Sequence, residues 1–579
     1  MTITLPYNLL SEGMLTGYVG LLVAFSLSLC LLYYLALPKP LPGIPYEKAA
    51  AKNVFGHMKE MMDFKKLHDN RMVPWFHEHQ RRVGSPLTQF FPAPFAKPVL
   101  ILSDFWEVQD LELHRRRDFG RGARDISLFK HTTPEFLAGL DPNDPRHKPN
   151  KALVKDTMSP VFLEKVTGPR VYACALDLVD LWKFKLAAAR HRPFDAEEDI
   201  FSAVSDIITA ALYDLSPDMG HTRQQLRHLK SLGEDLRIEH NEHGGLVFPE
   251  LPPLPHYEHF QLFLDHQGDI LKSPLPSLLH YYKMLVSSEL REAYRGVKHF
   301  ESREIDKSVM RLEGGEPITC VVDNMVRQEQ RAAAGENRKP VYHRPAFLDN
   351  LSGYYSAGHE TSASALSWAI KFLSIHQESQ ERLRIALHKT HAAALTEGRN
   401  PTLEEIVRAN NHYLNAVIEE ALRMRPPFSF GSRSSHIDTT LLGYRVPKDT
   451  TIIITFMGPS LLSPAMPIPE ELRSESCQKN GRPAWPDEDI HLFKPERWLK
   501  TNEAGETVYD SLAGPMQTFG FGTLQCFGKR LAYLQIRTVL TLLVWNFKFA
   551  EIEGILSSDA GVELSTLRPK YSYVKLEEV

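Results

Sequence analysis

Cysteine is scarce and unpaired in this chain: Cys30, Cys174, Cys320, Cys477 and Cys526 lie far apart and form no C-x-x-C pair. That excludes a disulfide framework and a structural zinc site as the basis of the fold, and it fits a reducing, cytosol-facing domain. A G-x-x-x-x-G-K-[ST] phosphate loop and an H-E-x-x-H zinc motif are both missing. The Gly520 and Gly522 pair lacks the third glycine and the βαβ setting of a dinucleotide fingerprint. With no flavin or nicotinamide motif in the chain, any redox chemistry must draw its electrons from another protein. Neither sign of charge dominates, since the formal net charge is −4 over 579 residues. No global attraction to nucleic acid or anionic surfaces follows, so a basic docking face must be local. Internal repeats and low-complexity tracts are also missing.

One long apolar run is present. Residues 14–37 carry no charge, and as a helix they would be about 36 Å long, enough to cross a hydrocarbon core of about 30 Å. Glu12 and no basic residue precede the run, whereas Lys39, Lys48 and Lys52 follow it. That asymmetry argues against a cleaved signal peptide and places the C-terminal part in the cytosol. The expected organisation is a short lumenal segment at 1–13, a transmembrane anchor at 14–37, a stiff proline-rich hinge at 38–45 and one domain over 46–579. Apolar residues at 98–102 predict a strand near the front of that domain. From about residue 166 helical spacing dominates, with a long helix at 347–373 and further helices over 377–396 and 403–424. Residues 327–339 and 470–489 read as mobile surface insertions because they are polar or rich in Gly and Pro.

The segment Phe519-Gly520-Phe521-Gly522-Thr523-Leu524-Gln525-Cys526-Phe527-Gly528 offers a single cysteine in a glycine-broken turn directly before a helical pattern. A sulfur there sits near unpaired helix N–H groups and the positive end of the helix dipole, which stabilise a thiolate. Gly522 and Gly528 permit backbone angles and close approaches that a Cβ would block, and Phe519 supplies an apolar cover. A lone cysteine is more often a buried structural residue, so the setting has to carry the argument. The pattern F-x-x-G-x-x-x-C-x-G resembles the haem-binding loop of the cytochrome P450 superfamily, the haem-thiolate monooxygenases. The family's basic residue two positions before the cysteine, a contact for a haem propionate, is replaced here by Leu524.

Further segments carry the same resemblance. Ala357-Gly358-His359-Glu360-Thr361 is similar to the family's A-G-x-[DE]-T motif on the helix that crosses the cofactor. The resemblance implies that Ala357 and Gly358 border the cofactor and that Glu360 and Thr361 handle dioxygen and protons beside it. Read without it, Thr361 would bond its own helix carbonyl and Glu360 would be a solvated charge. Glu420 and Arg423, followed by Arg497 in Phe493-Lys494-Pro495-Glu496-Arg497-Trp498, resemble the family's buried ionic triad, a structural element. Arg433 corresponds to the arginine that binds a propionate, which matters more once Leu524 is in place. In residues 146–153, His147 and Lys151 stand where the family often has Trp and Arg, and a solvated basic turn is an equal reading.

The implied fold is mainly α with a small β region, enclosing one haem b whose iron takes Cys526 as axial ligand. The implied activity is insertion of one oxygen atom from O2 into a lipophilic small molecule, in specialised metabolism, since the motif variants resemble fungal ones. Electrons would come from NADPH through a membrane-bound NADPH–cytochrome P450 reductase docking on Lys529 and Arg530, with Lys148, Lys151 and Lys155. The location implied is the endoplasmic reticulum membrane, with one span. Ile126, Leu128, Phe129, Tyr354, Phe428 and Phe430 are candidate substrate walls by family position. Two alternatives stay open: an O2-independent isomerase or dehydratase on the same scaffold, and a haem-binding membrane protein without catalysis.

Overall fold

Charge-free sequence near the N-terminus becomes one helix, α1 (Glu12–Ala36), in a computed structural model that describes residues 12–273, 275–479 and 482–579. From Gly17 to Ala36 it is long and apolar enough to cross a bilayer and rests on almost no other part of the protein. Most of the N-terminal segment expected to be lumenal lies outside the described residues. The proline-rich stretch after it is not a free spacer. Gln89 clamps it: its side-chain carbonyl accepts the Leu41 N–H at 2.7 Å, and its amide donates to the carbonyls of Leu41 at 2.9 Å and Ile44 at 2.8 Å. Ile44 is 1% exposed against the sheet, so the exit of the anchor is fixed relative to the domain.

Gln89 belongs to β1 (Leu87–Phe90), the edge of a five-stranded sheet with β2 (Val99–Leu102), β3 (Phe119–Arg121), β4 (Phe430–Ser435) and β5 (Thr451–Thr455). The order is β1-β2-β5-β4-β3, with the β2–β5 pair parallel and the others antiparallel. Leu100, Ile101 and Leu102 of β2 are all fully buried, as a short β-branched and aliphatic run between two neighbours should be. Arg121 of β3 stands directly across from Arg433 of β4. Behind the sheet, α2 (Phe105–Leu113) begins at Asp104, whose carboxylate accepts the Glu107 N–H at 3.0 Å.

Helices fill the rest: α3 (Gly168–Ala189), α4 (Glu197–Tyr213), α5 (Pro345–Ile375), α6 (His412–Met424) and α7 (Lys529–Asn546) surround one large apolar core. Pro345 opens α5 in its first turn, where its missing N–H leaves no bond unmade. Ser362 of α5 donates to Gln535 of α7 at 2.7 Å, which ties the central helix to the helix that follows Cys526. A late strand, β6 (Leu567–Pro569), lies under α5, with the Leu567 carbonyl accepting from Trp368 Nε1 at 2.8 Å.

Capping chemistry divides two helices that periodicity alone would run together. Thr402 and Glu405 form a capping box on Leu403–Arg408, and Asn411 accepts the Leu414 N–H at 2.9 Å to restart the chain as α6. At His391 the backbone leaves helical geometry, with φ −113° and ψ 43°, and separates Gln377–Thr390 from Ala392–Thr396 without a side-chain cap.

Most of the stretch expected to be a mobile insertion at 327–339 lies instead in the helix Val321–Gly335. Its Glu329 is fully buried and collects Arg338, Arg344 and the Val341 N–H, so its polarity signals a buried ion cluster rather than a solvated loop. The described part of 470–489 is also pinned. Arg473 grips Asp104 through two bonds of 3.0 and 3.1 Å, and buried Trp485 donates to the Pro515 carbonyl at 3.0 Å.

Candidate active site

Residues 519–526 form a closed loop: the Cys526 N–H donates to the Phe519 carbonyl at 2.8 Å. Gly520 and Gly522 both adopt left-handed backbone, with φ of +62° and +59°. A Cβ on Gly522 would also stand 2.5 Å from the Glu112 carbonyl oxygen, so glycine is required twice over there. Cys526 is open to solvent and yet walled by protein, as a side chain on the floor of a recess is. Burial pushes its thiol up from the ordinary range. Backbone N–H groups of Gly528 and Lys529 and the charges of Arg121 and Lys529 pull the other way, and these same groups would hold a thiolate. A Cβ on Gly528 would meet only the sulfur, at 3.9 Å, which leaves open room beside it. Phe519 lies against Tyr533 of α7, ring centroids 5.2 Å apart, with the Lys529 ammonium 5.4 Å from its centroid.

Two arginines face each other across the β3–β4 pair. Arg433 is 5% exposed; its Nη1 donates to the Ser432 carbonyl at 2.7 Å and lies 3.4 Å from an Asp125 carboxylate oxygen, its Nη2 pairs with Glu112, and its Nε finds no partner among the described residues. Burial and the adjacent charge of Arg433 push the Arg121 guanidinium below its ordinary value. Like charges directly opposite on a sheet are unfavourable, and a buried N–H without an acceptor adds to the penalty. Asp125 and Glu112 offset part of this charge, and a haem propionate would add a carboxylate able to meet the unpartnered Nε. Buried Leu524 offers nothing comparable.

Arg121 is the site residue the sequence reading missed. A signal existed in Gly120-Arg121-Gly122: a Cβ at Gly120 would lie 2.0 Å from His436 Nε2, and one at Gly122 would lie 2.1 Å from Ser432 Oγ. His147, on the helix His147–Val154, stands near enough to Arg121 that this cation and Lys151 depress its pKa along with burial. Arg146 turns away, to Glu135 at 2.9 Å and Asp144 at 2.7 Å.

On α5, Ala357 is exposed toward open space, whereas Gly358 is accounted for by packing: a Cβ there would meet Ile208 Cδ1 of α4 at 2.7 Å. The Thr361 hydroxyl donates to the Ala357 carbonyl one turn back, at 2.7 Å. Glu360 is 5% exposed and turns the other way. One carboxylate oxygen lies 3.2 Å from Arg568 of β6, and the other accepts from Ser565. Arg568 in turn reaches Glu197 of α4 at 3.3 Å, and its guanidinium sits 4.0 Å over the Phe201 ring. This chain of ion pairs ends at a cavity of about 340 Å³ lined by Asp195, Glu197, Glu198, Glu250, Tyr257 and Arg568. Desolvation raises all four carboxyls there, Glu198 to about 7. His359 bonds the Phe201 carbonyl at 3.0 Å and is driven by burial down to about 4, so it is a neutral packing residue.

Below the loop, Glu420 collects five donors. Arg423 binds both of its oxygens at 2.8 Å, and Arg497 Nε, Trp498 Nε1 and the Lys494 N–H each reach it at 2.9 Å. Both guanidiniums spend further donors on backbone carbonyls, such as those of Ile490 and Asp489 at 2.8 Å. Among the candidate walls, Tyr354 is buried, Phe428 is exposed and Phe430 packs edge-on to Phe76 at 5.2 Å.

A group of potential metal ligands, Glu47, His57 and His79, lies elsewhere. His57 Nδ1 accepts the Phe91 N–H at 3.2 Å, so its Nε2 carries the proton and donates to Glu47 at 3.2 Å; it is a hydrogen-bonded cluster.

A family model described as Cytochrome P450 matches residues 60–460 and 485–575. The chain is 32% identical to "Cytochrome P450 monooxygenase TRI13" of Fusarium sporotrichioides, covering 96% of this chain and 98% of that protein. It is 30% identical to "Cytochrome P450 monooxygenase GME11363" of Pestalotiopsis microspora, over 97% and 98% of the two chains. Against "Cytochrome P450 monooxygenase xilC" of Penicillium crustosum the identity is 30%, over 98% and 97%.

Proposed function

The chain belongs to the cytochrome P450 family, and from that premise we propose that it is a haem-thiolate monooxygenase acting on a lipophilic small molecule in fungal specialised metabolism. The observation that carries this reading is Cys526 on the floor of a recess, held by a closed loop beside a helix N-terminus and overlooked by two facing arginines, one of which keeps a buried Nε–H without an acceptor among the described residues. Haem, when bound, supplies the activation of dioxygen and the transfer of one oxygen atom to carbon.

What the protein supplies is position and protons. Cys526 would hold the haem iron through its sulfur, whose charge the N–H groups of Gly528 and Lys529 would stabilise. Arg433 and Arg121 would hold a propionate, a role that Leu524 cannot fill. Thr361 presents a hydroxyl whose proton is parked on the Ala357 carbonyl, leaving its oxygen lone pairs to face the recess beside Ala357. Glu360 holds or releases a proton at a carboxylate oriented by Arg568 and Ser565. Glu420, Arg423 and Arg497 fix the scaffold and touch no reacting atom.

Electrons come from NADPH through a separate reductase, which docks on the face carrying Lys529, Arg530, Lys148, Lys151 and Lys155. The enzyme is anchored in the endoplasmic reticulum membrane by α1, with residues 46–579 on the cytosolic side. Exposed Leu278, Tyr282 and Leu285 on the helix Pro276–Val286 support membrane contact by the domain as well. The test is expression with a P450 reductase. The protein should give the thiolate signature in its reduced carbon-monoxide spectrum, lose it in Cys526→Ala, and add one oxygen to a substrate from a panel of lipophilic extracts only when NADPH and O2 are present. Turnover without NADPH and O2 would favour an isomerase or dehydratase, and absence of haem from purified protein would sink the reading.

A further inference from the structure

Glu112 is a fully buried carboxylate that the proposed chemistry does not use. It sits one residue from the end of α2, where the partial negative charge of the helix C-terminus disfavours an anion. A buried charge in that position persists only if it is paired and hydrogen-bonded. Both of its oxygens are committed. One pairs with Arg433 Nη2, and the other accepts the Phe521 N–H at 2.7 Å, inside the loop that carries Cys526.

The loop is folded round this one residue. Gly520 and Gly522 are its two left-handed positions, and Cβ atoms on them would lie 3.3 Å from the Glu112 carboxylate and 2.5 Å from its carbonyl. Phe521 between them packs edge-on against Phe105 at the other end of α2, 5.8 Å between centroids. The helix therefore grips the loop at both ends.

We propose that Glu112 is a positioning residue that fixes the propionate-binding arginine and the cysteine loop to each other through one carboxylate. This inference rests on the reading that Cys526 and Arg433 hold haem. Its consequence is that haem retention and haem electronics are coupled at a residue outside the motif-bearing loop and strands. Charge removal at Glu112 should loosen Arg433, leaving it only the longer 3.4 Å contact with Asp125, and add net positive charge beside the cysteine loop, which would favour the reduced state of a haem bound there. Glu107 provides the internal control: it lies on the same helix, is 1% exposed, and spends its carboxylate on the Ser474 N–H at 3.1 Å, away from the loop.

The experiment compares Glu112→Gln, Glu112→Asp and Glu107→Gln with the wild-type holoprotein, reading haem transfer to apomyoglobin and the haem reduction potential. Glu112→Gln should release haem roughly tenfold faster, the scale of one lost charge-assisted bond, and shift the potential positive. Glu112→Asp, which keeps the charge but loses reach, should release haem faster with the potential near wild type. Glu107→Gln should change neither.

Equal behaviour of Glu112→Gln and wild type, or of Glu112→Gln and Glu107→Gln, overturns the inference. If Glu112→Gln does not fold, Glu112→Asp decides: unchanged haem release overturns it. A wild-type protein without haem or without the thiolate signature would instead overturn the proposed function, and the two failures are told apart by that first spectrum.

Discussion

Two carboxylate–guanidinium assemblies flank the candidate site, and they differ in what lies at their edges. Around Glu420 every donor ends on protein: Glu420 and Arg423 are 0% exposed, Arg497 is 4% exposed, and their remaining bonds go to backbone carbonyls and Asp489. Around Glu360 the chain runs through Arg568 to Glu197, which is 38% exposed and lines an acid-walled cavity. The chemistry of the pairs is the same. One assembly is sealed, whereas the other opens on a cavity where desolvation raises the carboxyls, Glu198 to about 7. Closure, more than the presence of an ion pair, separates the two assemblies here.

The most severe way to challenge that distinction is to remove the carboxylates. Glu420→Ala would strand two buried guanidiniums, and we expect a loss of about 3–5 kcal/mol, read by urea unfolding and accompanied by poor haem loading. Glu360→Gln leaves Arg568 with Glu197 and the Phe201 ring, so the loss should be only about 1–2 kcal/mol. Product formed per NADPH should nevertheless fall by roughly 10²-fold, as for removal of a general acid–base group. If Glu360→Gln unfolds the protein as Glu420→Ala does, the sealed and open assemblies are not different in kind.

The sealed assembly was legible in the sequence, because Glu420, Arg423 and Arg497 are spaced by a recognisable pattern and their partners are mostly backbone. The open one was only half legible. Glu360 stood out in its motif, but its partners Arg568 and Glu197 lie 208 and 163 residues away on β6 and α4, and nothing local marks a long-range ion pair. Arg121 escaped for the same reason, its role being set by the register that puts it opposite Arg433. The helix boundary at Asn411 was misjudged because a cap outweighs periodicity over a few residues, and the break at His391 follows from backbone geometry that periodicity does not register. The buried helix containing Glu329 was read as loop because polarity in a sequence does not distinguish water from a buried partner.

A gentler test uses pH. Desolvation raises the folded-state pKa values of Asp195, Glu197, Glu198 and Glu250, that of Glu198 to about 7, so between about pH 4.5 and 7 folded Glu198 holds a proton that the unfolded chain has lost. The stability Glu198 contributes is complete below its unfolded value and disappears as pH rises through 7. The thermal midpoint should therefore fall over that window, by less than either substitution causes because solvent screens this cavity. Glu198→Gln should flatten the fall. An unchanged slope would mean that the cavity does not exchange protons as an open assembly must.

The smallest effect on stability, and the sharpest on chemistry, belongs to Thr361. Its hydroxyl bonds the Ala357 carbonyl of its own helix, which already has its place in the helical ladder, so Thr361→Val removes a redundant bond while keeping the β-branched shape. Stability should change by less than about 1 kcal/mol, well below the effect at Glu420. If Thr361 passes protons between Glu360 and the recess, the same variant should consume NADPH at a comparable rate while yielding much less product, the remainder appearing as hydrogen peroxide. If coupling is retained, the hydroxyl is only a helix ornament, and the working part of the open assembly stops at Glu360. Because the substitution leaves the scaffold almost untouched, its chemical outcome is read without correction for unfolding, which the larger variants do not allow.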